Sequence, residues 1–495
     1  MPTDARPTCS APRPAARPAA WVALGAVWLT LGACSTLAPQ RAAPIEVPAA
    51  WSADAGGASA QATSLAQWWQ RFDDPLLGRL VTQALQANTS VQSAAAALRQ
   101  ARALRDVSAA GLLPSVDGSG SAQRSKSGDN SASSSFRAGL DASWELDVFG
   151  ANRSALQGSE AGVRASAADL GDVQVSIAAE VALAYIGLRY NQARLAIAND
   201  NLASQQEALQ LTQWRLQAGL VTSLEAEQAR GAVEQTRAQL PALQTSIAQS
   251  THALAVLTGQ APAALQAILA SAAPLPQVSA DLALSLPAET LRQRPDVRAA
   301  EHQVSAAAAR VAQADAARKP SFRLSGSLGL NALTLGSLTS GAAFAAALLA
   351  GVSLPIFDGG AGAAQVQAQQ AAFDQAQLAY KATVLTALKD VEDALVALRG
   401  DRERVARLQQ AAEASANAAL LARQRYSSGL IDFQTVLETQ RSQLSSQDSL
   451  AGARADVSAD HVRLYKALGG GWLPDAPVLA AAADSLPTAT TPRRP

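Results

Sequence analysis

Cysteine is nearly absent from this chain of 495 residues, which holds only Cys9 and Cys34. Both lie at the N-terminal end, so the body of the chain has no thiol pair. That excludes a disulfide framework and a Cys-based metal site. Histidine is as scarce: His252, His302 and His461 stand singly along helical sequence, without the spacing of metal ligands. Neither charge sign is in excess, with 40 Lys and Arg against 40 Asp and Glu, so nothing points to nucleic acid or a polyacidic partner. Aromatics make up 4% of residues, thin for an ordinary globular core, and much of the 48% apolar content is Ala, which suits closely packed helices. The stretch GGAGAAQ (359–365) opens a helix beside a strand but lacks the P-loop lysine. Neither an enzyme nor a cofactor is expected.

The N-terminus carries an export signal. Arg6, Arg13 and Arg17 precede AAWVALGAVWLTLGAC (19–34), an apolar run too short for a comfortable membrane span. It ends in Leu31-Gly32-Ala33-Cys34, which resembles a bacterial lipobox, the motif whose Cys is lipidated (diacylglycerol and palmitate) and becomes the mature N-terminus. The alternative is an ordinary signal peptide with a stray Cys. In such lipoproteins Ser35 after the Cys implies sorting to the outer membrane. The reading is a signal peptide over 1–33 and a lipidated tether over 34–65, with covalent lipid on Cys34 in place of any cofactor.

Within FRAGLDASWELDVFGA (136–151) every second residue is apolar: Phe136, Ala138, Leu140, Ala142, Trp144, Leu146 and Val148. Arg137, Asp141 and Glu145 fall on the other side, so this is a β-strand with one apolar and one wet face. The chain then repeats itself. LLPSVDGSGS (112–121) answers RKPSFRLSGS (318–327), Phe149-Gly150 answers Phe357-Asp358-Gly359, and QWRLQAGL (213–220) answers RQRYSSGL (423–430). In each repeat a helical segment (76–111, 289–317) is followed by two strands (115–125 with 135–148, then 321–331 with 344–356). A proline-free helical run follows (150–217, 359–427), about 100 Å long at 1.5 Å per residue. Gly219 and Gly429 turn the chain, and a shorter helix returns (222–257, 432–467). Leu195, Leu202, Leu209 and Leu216 predict a coiled-coil seam against Val233, Leu240, Ile247 and Leu254. Pro241 is expected to bend the first returning helix.

Four strands of this length suit a tilted crossing of a bilayer, yet four cannot close a barrel and open edges are forbidden in lipid. The chain must therefore oligomerise. Helices of about 100 Å exceed a bilayer of about 30 Å and must project into an aqueous compartment. A periplasmic coiled-coil lipoprotein without a pore is a rival that has no use for alternating strands.

At this point WWQRFDDPLLGRLVTQALQANTSVQSA (68–94), LRQRPDVRAAEHQV (291–304), PIFDGG (355–360) and RYSSGLIDFQTVLETQRSQL (425–444), in order and at repeat spacing, resemble the TolC-like outer-membrane efflux factors. The likeness is to the NodT-type lipoprotein branch serving tripartite resistance-nodulation-division (RND) pumps. It implies a mixed α and β membrane protein: a homotrimer with a 12-stranded transmembrane β-barrel, four strands per chain, continued by a long periplasmic α-helical barrel. It further implies an outer-membrane exit duct for small molecules, whether drugs, metals or other toxic compounds. The partners would be a periplasmic adaptor (membrane fusion protein), an inner-membrane RND pump and outer-membrane lipid. The same architecture serves type I protein secretion, which is the nearest alternative. Domain limits follow: 66–258 and 289–469 for the two repeats, 259–288 for the linker and 470–495 for a flexible tail.

Family members carry an acidic ring where the second hairpin turns. Its two positions fall on Thr435 and Glu438, so one carboxylate is missing, and Glu225 at the equivalent of Thr435 in the first repeat is a candidate replacement. Either Glu225 and Glu438 line a periplasmic gate or both are solvated helix-surface acids. Tyr426 either bonds to a neighbouring hairpin and holds the closed state or simply packs. Trp144, on the apolar face near the strand end, is either a membrane-interface anchor or packed on a neighbouring strand.

Overall fold

The computed structural model describes residues 65–126, 128, 131–278 and 288–472. Cys34, the signal segment and nearly all of both tethers lie outside them. The described chain divides into two compact units, one built from residues 110–155 and 309–367 and the other from the remainder.

The first unit is one antiparallel sheet. Strands β1 (Ser115–Ser125), β2 (Ser133–Leu146), β3 (Ser321–Ala332) and β4 (Phe344–Ser353) pair in the order β1-β2-β3-β4. Period-two alternation makes it two-faced. In register, Leu140 meets Leu328 and Trp144 meets Leu324, while Arg137 meets Asn331 and Glu145 meets Arg323 on the opposite face. Arg323 and Glu145 form an ion pair at 3.8 Å. Gly139 and Gly329 face each other so closely that a Cβ on either would lie 3.1 Å from the partner strand's carbonyl oxygen. No second layer covers the apolar face: Val116, Leu348 and Val352 are 64, 78 and 65% exposed. β4 also carries Ala345, Ala347 and Leu349 on its other side, which blurs its alternation.

β2 and β4 end two and three residues earlier than periodicity predicts. The Val148 amide turns back to the Leu146 carbonyl at 2.8 Å. Asp147 then accepts from the amides of Asn152 (3.1 Å) and Arg153 (2.8 Å) and so caps the next helix. In the second repeat Asp358 does the same with Gly360 (2.9 Å) and Gly362 (2.8 Å). These amide donors hold the Asp358 carboxyl below its usual range.

In the second unit α1 (Pro75–Ala87) and α2 (Thr89–Ala110) lead into the first strand pair. The sequence predicts one helix here; Asn88 breaks it. Asn88 adopts ψ 133° and its side-chain oxygen caps α2 through the Ser90 amide at 2.8 Å, while its amide nitrogen bonds the Leu257 carbonyl. Helix α3 (Ala151–Gln217) is followed by α4 (Ser223–Leu257) and the short α5 (Gln266–Leu269). The second repeat supplies α6 (Pro295–Ala316), α7 (Ala361–Ser427) and α8 (Phe433–Ala467). Corresponding helices match in length: 22 residues for α2 and α6, 67 for α3 and α7, 35 for α4 and α8. Three helix pairs of equal length, with a pair of strands between the first and second helix of each set, mark two structural repeats.

The W-W opening is explained by packing. Trp68 is fully buried and stacks on Tyr465 at 5.2 Å, with Trp69 and Phe72 against its edges. The glycine run after α8 lets these rings approach, since a Cβ on Gly470 would lie 3.0 Å from Trp68. Below them Asp74 caps α1 and accepts from the Tyr185 hydroxyl at 2.7 Å. Burial and this bond push the Tyr185 phenol up to about 12. Buried Arg189 donates to Tyr185, Gln192 and the Ser271 carbonyl and anchors the segment after α5.

The residues expected to form the hairpin seam are buried to different degrees: Val233 and Leu254 of α4 are buried, Leu195, Leu202 and Leu209 of α3 are half-buried, and Leu216 is 36% exposed. The buried polar residues of α3 reach the second repeat, Asn201 donating to Gln447 of α8 and Thr212 meeting Tyr426 of α7. Pro241 lies inside α4 without ending it, and its carbonyl accepts from Thr245 Oγ1 at 2.9 Å.

Candidate gate at the hairpin tips

Each long helix stops at a glycine in the left-handed region, Gly219 at φ 72° and Gly429 at φ 76°. The closing bonds are identical. The amides of Gly219 and Leu220 donate to Leu216 and Arg215, and those of Gly429 and Leu430 to Tyr426 and Arg425. Only glycine adopts this conformation without steric cost, and the bonded pair is the Schellman arrangement.

Tyr426 is buried just before the second turn and packs on Phe433 at 5.4 Å in a small core with Ala229, Ala422, Val436 and Leu437. Its hydroxyl lies 3.3 Å from Thr212 Oγ1 and donates to Glu225 Oε2 at 3.4 Å. Arg215 donates to the Tyr426 carbonyl at 2.8 Å and stands over its ring, 4.6 Å from the centroid. Thus α3 and α4 hold the tip of α7 through one phenol ring. Glu225 and Tyr426, predicted separately, are brought together.

Thr435 sits in the first turn of α8, where its amide (2.9 Å) and hydroxyl (2.6 Å) both donate to Asp432. Those bonds hold the Asp432 carboxyl below its usual range. Asp432, three residues before Thr435, is an exposed carboxylate that caps α8. Glu438 is exposed on α8 and forms no bond to the Tyr426 cluster. Periodicity alone did not single out Thr212, Arg215, Asp432 or Phe433. Arg215 had a signal, since it and Arg425 stand at the same place before the two glycines.

A family model described as outer membrane efflux protein matches residues 80–260 and 286–470. The pyoverdine export outer membrane protein OpmQ of Pseudomonas putida is 35% identical over 464 residues, covering 91% of this chain and 97% of that protein. Nodulation protein T of Rhizobium leguminosarum bv. viciae is 31% identical, covering 90% and 92%. Among solved structures, the outer-membrane channel OprN superposes with a TM-score of 0.83 at 37% identity, covering 88% of this chain and 99% of that one. The chain belongs to the outer membrane efflux protein family. It is an outer-membrane channel of an efflux system, with its long helices in the periplasm.

In this efflux protein Trp144 lies half-buried on the apolar face of β2, and its indole nitrogen donates to the Leu112 carbonyl at 3.0 Å. The ring therefore keeps its apolar body on the lipid-type face with its polar edge satisfied within the chain. Among the described residues no group of three or more His, Cys, Asp or Glu side chains is placed to hold a metal ion.

Proposed function

We propose that three copies of the chain close a twelve-stranded barrel and form a passive exit duct for small molecules, fed by an RND pump through a periplasmic adaptor. One observation carries this reading: among the described residues the four-stranded sheet has a bare apolar face, and its edge strands β1 and β4 have no second partner. Such edges are tolerated in lipid only when another chain pairs with them. The duct carries out no catalysis and needs no cofactor. Lipid on Cys34 adds an anchor to the one the barrel provides. Trp144 serves as an interface residue at the barrel end.

The tip cluster is the gate in this reading. Tyr426 and Arg215 hold the closed arrangement, while Glu225, Glu438 and Asp432 supply negative charge around the threefold axis. Purified channels in planar bilayers are expected to prefer cations and to be blocked by trivalent cations from the periplasmic side. Glu438→Gln weakens the block and Glu225→Gln/Glu438→Gln nearly abolishes it. If the double mutant keeps its block but loses adaptor binding, the acids face outward and the acidic gate is wrong. The relatives named for pyoverdine export, antibiotic efflux and toluene efflux handle small molecules, which favours the pump assignment over type I protein secretion.

A further inference from the structure

Far from the hairpin tips, α7 and α8 bring two carboxyl groups together. Asp460 on α8 is fully buried, and its Oδ1 accepts from Arg463 at 2.6 Å. Its Oδ2 is buried too and has no donor. The neighbouring group in hydrogen-bond reach is another acid, Asp401 on α7, itself bonded by Arg404 at 3.4 Å. Arg404 also reaches Asp456 at 3.3 Å, so its charge is divided between two carboxylates.

Two ionised carboxylates cannot share a buried contact without a proton between them. We propose that Asp401 and Asp460 form a proton-sharing pair that tightens the α7–α8 seam in an acidic periplasm and loosens it in a neutral one. In acid, Asp460 Oδ2 takes a proton from solvent and the new O–H donates to the Asp401 carboxylate; no other bond changes. Near neutrality that proton leaves, and the carboxylates repel one another across the seam.

The surroundings carry both signs. On α8 itself stand Arg463, Lys466, Asp456 and His461, whose Nε2 lies 3.2 Å from Arg402 of α7. Asp460 also lines a cavity of about 430 Å³ faced by Asp172 of α3, Arg294 and Asp296 at the start of α6, and Asp390 and Asp393 of α7. Most of these are mutually paired: Arg294 with Asp296 (2.7 Å) and Asp390 (3.5 Å), and Asp393 with Lys389 (2.9 Å). None offers a donor to Oδ2. Burial, opposed by Arg463 and reinforced by Asp401, pushes the Asp460 carboxyl up to about 6. The sign follows. An acid whose folded value exceeds its unfolded one favours folding most at low pH, and that contribution is lost as pH rises through the folded value.

The test is hydrogen exchange of the full-length, detergent-purified protein, read on peptides covering 395–405 and 455–464 and corrected for intrinsic rates. The wild type is expected to close more tightly at pH 5.5 than at pH 7.5, seen as slower corrected exchange in both peptides. In Asp460→Asn the side-chain amide donates to Asp401 at every pH, so protection stays at the acid level. Asp401→Asn, at a partly exposed position, removes the pair from the other side and should abolish the same pH dependence even if Asp460→Asn assembles poorly. A pH dependence unchanged in Asp401→Asn overturns the proposal.

Discussion

Tyr426 concentrates several unlike interactions on one side chain. Its ring packs on Phe433, its hydroxyl meets Thr212 and Glu225, and its face and carbonyl meet Arg215. These separate on mutation. Tyr426→Phe keeps the ring and removes only the hydroxyl, a loss of about 1 kcal/mol. If the closed state depends on that hydroxyl, the open-to-closed ratio rises about fivefold, which single-channel recording measures directly. Tyr426→Ala also empties a fully packed position and should cost roughly 3–5 kcal/mol at the tip. Recordings indistinguishable from wild type for Tyr426→Phe would reduce the residue to packing. Little of this cluster could be read from one hairpin alone. The resemblance pointed to Tyr426 and the repeat offset to Glu225, but Thr212 and Arg215 acquire their role only when α3 and α7 lie side by side.

Among the elements, those governed by local periodicity were legible and those governed by packing were not. Alternation marked β2 and β3 clearly and β4 less so, and freedom from proline marked both long helices. The strand ends moved because Asp147 and Asp358 turn from strand to helix cap, a role that depends on which amides follow. Asp358→Ala should therefore loosen the start of α7, seen as earlier fraying in exchange of residues 360–366. Packing also buries polar side chains that periodicity does not mark: Gln440 of α8 is buried with neither side-chain atom bonded. An apolar residue of similar shape relieves that desolvation, so Gln440→Leu should be neutral or stabilising by roughly 1 kcal/mol. A melting temperature several degrees lower would show instead that the amide has a partner in the assembled channel.

At the scale of the whole molecule, the sheet determines what the chain must become. Its strands of 11, 14, 12 and 10 residues suit a tilted bilayer crossing, while its exposed apolar face and unpaired edges suit neither water nor lipid in a single chain. The helices pose a milder version of the same problem: Trp214, Leu378, Leu385 and Leu421 are more than half exposed along α3 and α7. Pairing the strand edges and covering the exposed helix residues both call for further copies of the chain, which is the assembly proposed above. Folding and assembly are then linked, and apparent stability depends on protomer concentration. Protein extracted in detergent should run as a trimer by native mass measurement, and dilution should yield unfolded chains rather than compact monomers. Charged residues placed on the β4 edge, such as Ala346→Arg with Leu348→Arg, should block assembly while leaving the helices' own sequence untouched. A compact monomer with native strand protection would contradict the shared barrel, since it would show that one chain satisfies its own edges.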